Sequence, residues 1–243
     1  MGALDTVAFF DADSGQHKLT TPVVSTTFGA SRTPFKEGDL SFADTFYSFG
    51  INFPGAITNH NYPSFLRDLT IPGDNLRRDL GTIDILRDRE RGVPRYCAFR
   101  RMLRMSVPTT FLELTGGNAA LAAELQEVYN NDIELVDALV GSHSEPLIPG
   151  FGFSETAFRI FVVMASRRLK SDRFIAGRWD EETYTKEGFR WVQHTTMKDV
   201  LVRHFPVLKG TLDKSKNVFA PWAKLDGSKG YEGIETNAPK KKQ

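Results

Sequence analysis

Apolar residues recur at intervals of three and four along most of the chain, so the pattern reads as helix after helix with few strands. From Leu40 to Ile57, Phe42, Phe46, Phe49 and Phe53 form a wide aromatic stripe, which predicts a first helix with its rings in the core. Asn61-Tyr62-Pro63 breaks that run, and Phe65-Leu66-Arg67 and Ile71-Pro72-Gly73-Asp74 lead through a turn. Thr82 is the expected N-cap of the next helix, which runs to Arg91 and stops at Gly92 and Pro94. Tyr96 to Met105 restarts a helix, with Phe99, Met102 and Leu103 inward and Arg100, Arg101 and Arg104 outside. Asn118 caps a helix to Tyr129 whose Leu121, Leu125 and Val128 face in. Asp132 to Val140 reads as a short helical or turn segment, and the Gly-Ser-His-Ser-Glu-Pro run holding His143 as a loop.

Ser154 to Lys170 has a Ser N-cap, an acid in its first turn at Glu155 and arginines Arg167 and Arg168 near its end. Between them, Phe158, Ile160, Phe161, Val162, Val163, Met164 and Ala165 are apolar around nearly the whole circumference, so such a helix needs cover on most sides. Asp180 to Trp191 and Thr195 to His204 predict two more helices, the second ended by Pro206. Residues 1–39 show no sustained period, although Thr20 to Phe28 fits a short strand. The expected organisation is a divergent or poorly ordered segment at 1–39, a helical domain at 40–222 and a flexible tail at 223–243.

Length and charge narrow the classes. The 243 residues suit one domain or a large piece of one, and the net charge of +1 argues for no nucleic-acid partner. Lys240 to Lys242 is a basic run at the terminus, where lysines are ordinarily just solvated. Cys97 is the sole cysteine, which rules out an internal disulfide framework and fits a reducing compartment, cytoplasmic or at the periphery of a lipid surface. No apolar run has the length of a membrane span. Among the histidines, His17 reads as a solvated loop residue and His143 as structural, while His194 and His204 lack ligand spacing on one helix face.

The chemistry concentrates in the densely charged stretch from Asp84 to Arg101. On charge pattern alone it is a surface helix pair laced with ion pairs, Asp84 facing Arg87 and Asp88 facing Arg91. The letters Arg87-Asp-Arg-Glu-Arg-Gly-Val-Pro-Arg-Tyr, followed by Phe99-Arg-Arg, resemble a signature of the animal-type heme peroxidase superfamily, and within it the fatty acid alpha-dioxygenases. Later segments keep that family's order: Val128-Tyr129 with Asn131 to Glu134, Gly141-x-His143-x-Glu145, Gly150 to Phe158, Ala165 to Leu169 with Asp172 to Phe174, Thr183 to Gly188, and Arg203-His-Phe-Pro206. The resemblance runs from about Leu40 to Trp222.

It implies a mainly α fold, the C-terminal portion of the helical heme peroxidase and cyclooxygenase-like architecture. It also implies heme b as cofactor, with the ligating histidines outside this chain, because the family's Tyr-x-x-His motif does not occur here. By the same resemblance His60 is not an iron ligand. Asp84 matches the position that hydrogen-bonds the proximal histidine, and Arg87 one near a heme propionate. Arg168 matches the arginine that anchors the fatty acid carboxylate; the plainer reading of Arg167 and Arg168 is a pair of ordinary helix-end cations. Some rings of the 42–53 stripe then become candidates for a lipid channel. The implied reaction is O2 addition at the fatty acid alpha carbon, started by a tyrosyl radical. Two alternatives stay open: a general heme peroxidase piece, and a non-catalytic helical module binding lipid or a partner.

Overall fold

The computed structural model describes residues 6–26, 39–52, 56–71, 73–74 and 76–226. Phe28, Phe53, Pro72 and the tail beyond residue 226, with Lys240 to Lys242, lie outside them. The architecture is mainly α, as the periodicity predicts.

The first departure is at the start. Residues 6–22 form an antiparallel hairpin of β1 (Thr6–Phe10) and β2 (His17–Pro22), and a 3-10 turn at Val23–Thr26 follows where the strand from Thr20 was expected to continue. Val7 to Phe10 are all buried, so β1 is a continuous apolar run without the alternation that marks a half-exposed strand. The hairpin lies on α1 (Phe42–Gly50), which opens with a Ser41–Asp44 capping box. α1 buries Ala43, Asp44, Tyr47 and Ser48, and not the aromatic stripe: Phe42 is 76 % exposed, and Phe46 and Phe49 are exposed too. The reason is backbone satisfaction. The Phe10 N–H donates to Ser48 Oγ at 2.8 Å and the Ala12 N–H to Asp44 Oδ1 at 2.8 Å, so the small polar side of the helix turns to the strand. Phe49 and Phe46 instead rest at the rim, on Phe9 and Phe205.

Two cores follow. One joins Phe10, Tyr47 and Ile51 to Leu201, Leu208, Leu212 and Trp222, so the two ends of the described chain share a core. Here the Trp222 ring lies directly over Gly50, where a Cβ would sit 2.1 Å from it. The other core gathers Tyr96, Cys97, Phe111, Leu114, Ala122, Leu125, Tyr129 and Val136. It is built by α3 (Tyr96–Met102), α4 (Phe111–Leu114) and α5 (Ala119–Val128), with α2 (Leu80–Glu90) preceding them. A two-residue strand pair, β3 (Leu69–Thr70) with β4 (Arg77–Arg78), leads into α2.

Several local expectations are corrected. Asp79, not Thr82, caps α2, its carboxylate accepting the Thr82 N–H. In α3, Arg100 is buried and Met102 is 71 % exposed, the reverse of the expected sides, because Arg100 meets buried acceptors from other helices. Val128 is exposed at the C-terminal end of α5. His143 sits inside α6 (Ala138–Ser144), not in a loop. α7 (Glu155–Ser171) has the expected Ser154 cap. After α8 (Arg173–Gly177), the expected helix from Asp180 is two, α9 (Glu181–Tyr184) and α10 (Lys186–His194), broken by Thr185 at φ 61°. α11 (Met197–His204) is capped by Thr196 through a capping box with Asp199, and α12 (Lys209–Lys214) closes the first core.

Candidate functional site

The arginine-rich corner between α2 and α3 divides into side chains that hold the fold and side chains left at the surface. Gly92 adopts φ 70° at the turn, a conformation that favours glycine. Arg89 donates to both oxygens of Asp137, at 2.9 and 2.6 Å, and Arg95 joins the same carboxylate. The Tyr129 hydroxyl donates to Asp137 at 3.0 Å. Burial alone would raise the Asp137 carboxyl, but Arg89, Tyr129 and Arg95 outweigh it and hold it below the usual carboxylate range. Burial pushes the Tyr129 hydroxyl up to about 12. Arg101 pairs with Glu134 at the surface. Asp84 and Arg87 pair with each other at 3.5 Å on the exposed side of α2, and both stay open to solvent.

Arg100 is the centre of a buried network that the periodicity missed. Its Nη1 donates to Glu145 at 3.0 Å and to Thr156 Oγ1 at 2.7 Å, and its Nη2 reaches Glu155 at 2.8 Å. Its Nε donates to the Ser106 carbonyl at 2.6 Å. Tyr96 donates its hydroxyl to Glu145 at 2.6 Å, and burial drives the Tyr96 pKa far upward. The signal was present as Ser-Glu-Pro at 144–146, but nothing local joins it to Arg100.

α7 leaves this network as an apolar rod. Phe161 is 63 % exposed, and Phe158, Val162, Val163, Met164 and Leu169 are exposed beside it. Phe151, Phe158 and Phe161 pack ring against ring along it. Arg168 lies on its last turn, exposed, with no ion pair to its guanidinium among the described residues. No bond joins Arg168 to the Asp84–Arg87 pair among those residues. An open groove of about 820 Å³ between α2, α5 and α6 is lined by Ile85, Arg89, Leu121, Glu124, Val128 and Asp137; neither Arg168 nor Arg87 lines it.

The histidines are separate. His60 pairs with Glu124 at 2.7 Å at the rim of that groove, His143 lies 2.8 Å from the Leu139 carbonyl and His194 2.8 Å from that of Arg190. Among the described residues no three of His, Cys, Asp and Glu gather as a metal site. No described helix is long and apolar enough to cross a membrane.

The helical fold agrees with comparison to known proteins. The chain belongs to the animal haem peroxidase family, whose model matches residues 4–219. Its relatives include alpha-dioxygenase 2 of Arabidopsis thaliana, 44 % identical over 202 residues, covering 81 % of this chain and 32 % of the relative. Alpha-dioxygenase PIOX of Oryza sativa subsp. japonica is 42 % identical over 189 residues, covering 75 % of this chain and 30 % of the relative. A crystal structure of Oryza sativa fatty acid alpha-dioxygenase with palmitic acid superposes with a TM-score of 0.78 at 34 % identity, over 91 % of this chain and 38 % of that one. The chain thus spans about a third of the length of the curated relatives it matches.

Proposed function

We propose that this chain forms the carboxylate-anchoring wall of a heme-dependent fatty acid alpha-dioxygenase. The observation that carries the proposal is α7, a helix whose apolar side chains from Phe158 to Met164 face solvent and whose last turn holds Arg168 with no ion pair among the described residues. An acyl chain and a carboxylate need these two surfaces in that order. The methylenes gain from leaving water, and a guanidinium binds a carboxylate through two parallel hydrogen bonds while keeping its charge. The names of the relatives and the palmitic acid in a neighbouring structure point the same way.

The residues fit the edge of a heme. Arg87 presents a permanent cation to solvent, suited to a propionate, and Asp84 offers a carboxylate within one turn of it. Asp84 is paired with Arg87 and not with an imidazole, so its role as acceptor for a ligating histidine needs a ring from outside the described residues. When bound, heme b supplies the one-electron oxidising chemistry. The residues of this chain then bind and orient. Arg168 fixes the carboxylate and so limits where the alpha carbon stands, and the rings of α7 exclude water from the acyl chain. In the proposed reaction a hydrogen leaves the alpha carbon, O2 adds there, and a hydrogen returns to give a 2-hydroperoxy acid.

A calorimetric titration with palmitate tests the anchor. Arg168→Ala is expected to weaken binding by about 2 kcal/mol, in the range for a charge-assisted hydrogen bond, while the melting curve stays put. Equal affinity of the parent chain and the variant would refute the assignment.

A further inference from the structure

The helix that carries Arg168 is held at one end. Thr156 is the buried residue of α7, and its N-cap Ser154 is buried as well. From Ala157 onward every side chain of the helix is half-buried or exposed. Arg168 stands twelve positions beyond Thr156 (168 − 156), roughly 18 Å along the axis. Over that length a tilt of about 10° at the first turn moves the guanidinium by about 3 Å.

That first turn is clamped by buried charge from two other helices. Glu145, at the C-cap of α6, accepts the Thr156 N–H at 3.0 Å and the Thr156 hydroxyl. Its negative charge therefore sits at the positive end of the α7 dipole. Arg100 of α3 bonds Glu145, Thr156 and Glu155 together, and the Tyr96 hydroxyl closes the set. Arg100 and Glu145 are both buried, so the clamp is shielded from solvent screening. The same charges on the surface would hold nothing so firmly.

We propose that Glu145 and Arg100 are positioning residues, whose grip on the first turn of α7 sets where Arg168 stands. The proposal rests on the reading of Arg168 as a carboxylate anchor. Glu145→Gln tests it in the full chain, since the amide keeps the shape and loses the charge. With spin labels at Gln126→Cys on α5 and Lys170→Cys on α7, the parent is expected to give one narrow distance distribution. Glu145→Gln should broaden it with helical circular dichroism unchanged; the native Cys97 is buried and is expected to take no label. In parallel, palmitate affinity should fall about tenfold. Affinity for methyl palmitate, which lacks the charge, should not change. On an Arg168→Ala background Glu145→Gln should cost palmitate nothing further.

A narrow distribution in Glu145→Gln overturns the clamp, whatever palmitate does. A broad distribution with equal losses for palmitate and its methyl ester overturns positioning and leaves a structural clamp. If Arg168→Ala costs the parent nothing, the anchor reading fails first and the positioning role fails with it. Should Glu145→Gln not fold, Thr156→Val removes the hydroxyl alone, with the same expected directions and the same overturning results.

Discussion

Arg100 and Asp137 show what individual residues of the arginine-rich corner are for. Arg100 neutralises the buried Glu145, so Arg100→Ala leaves a buried carboxylate unpaired. The expected loss is roughly 3–5 kcal/mol in denaturant unfolding, and a loss near zero would contradict the network. Asp137 adds an acid dependence. Its folded pKa lies below the unfolded value of 3.8, so its contribution is present above that pH and is lost as pH falls through the lower folded value. Asp137→Asn is therefore expected to be less stable than the parent at neutral pH and to show a flatter stability loss below about pH 4. An unchanged acid limb would show that the carboxylate is not linked to folding. Neither role was legible from period. A helical pattern assigns an arginine to the outside by type, and Arg100 is inside because of Glu145 and Thr156, 45 and 56 positions away. The Asp84–Arg87 pairing was legible, because both partners lie on one face of one helix.

At the scale of elements, caps and breaks read well and faces read poorly. Asn118 and Ser154 cap the helices that their side chains suggested, through bonds to the N–H three residues on. The α1 stripe misled because β1, a run too short and too uniformly apolar to announce itself, pairs with the polar side of that helix. A tight seat joins α6 to α3: a Cβ at Gly141 would lie 2.3 Å from the Tyr96 ring. Gly141→Ala is thus expected to destabilise by about 1–3 kcal/mol through overpacking, read as a lowered melting temperature. A neutral or stabilising result would mean that the two helices can part without cost.

For the molecule as a whole, the α7 to α10 region presents a broad apolar surface, with Phe161, Ile175, Trp191 and Val192 exposed. The chain is expected to bind a hydrophobic-surface dye strongly at neutral pH, and weak binding would contradict an open face. Hemin titration is expected to give no sharp histidine-ligated Soret band, because the Tyr-x-x-His motif that would carry the proximal ligand does not occur in this sequence. A stoichiometric band would place an iron ligand among His60, His143 and the other histidines. The measurement that bears most directly on the central claim is photo-crosslinking with palmitate carrying a diazirine on its acyl chain, mapped by peptide mass spectrometry. Label is expected on α7 between Phe158 and Met164, competed by free palmitate and lost in Arg168→Ala. Label in the groove between α2 and α5, or labelling of α7 that is indifferent to Arg168→Ala, would contradict it.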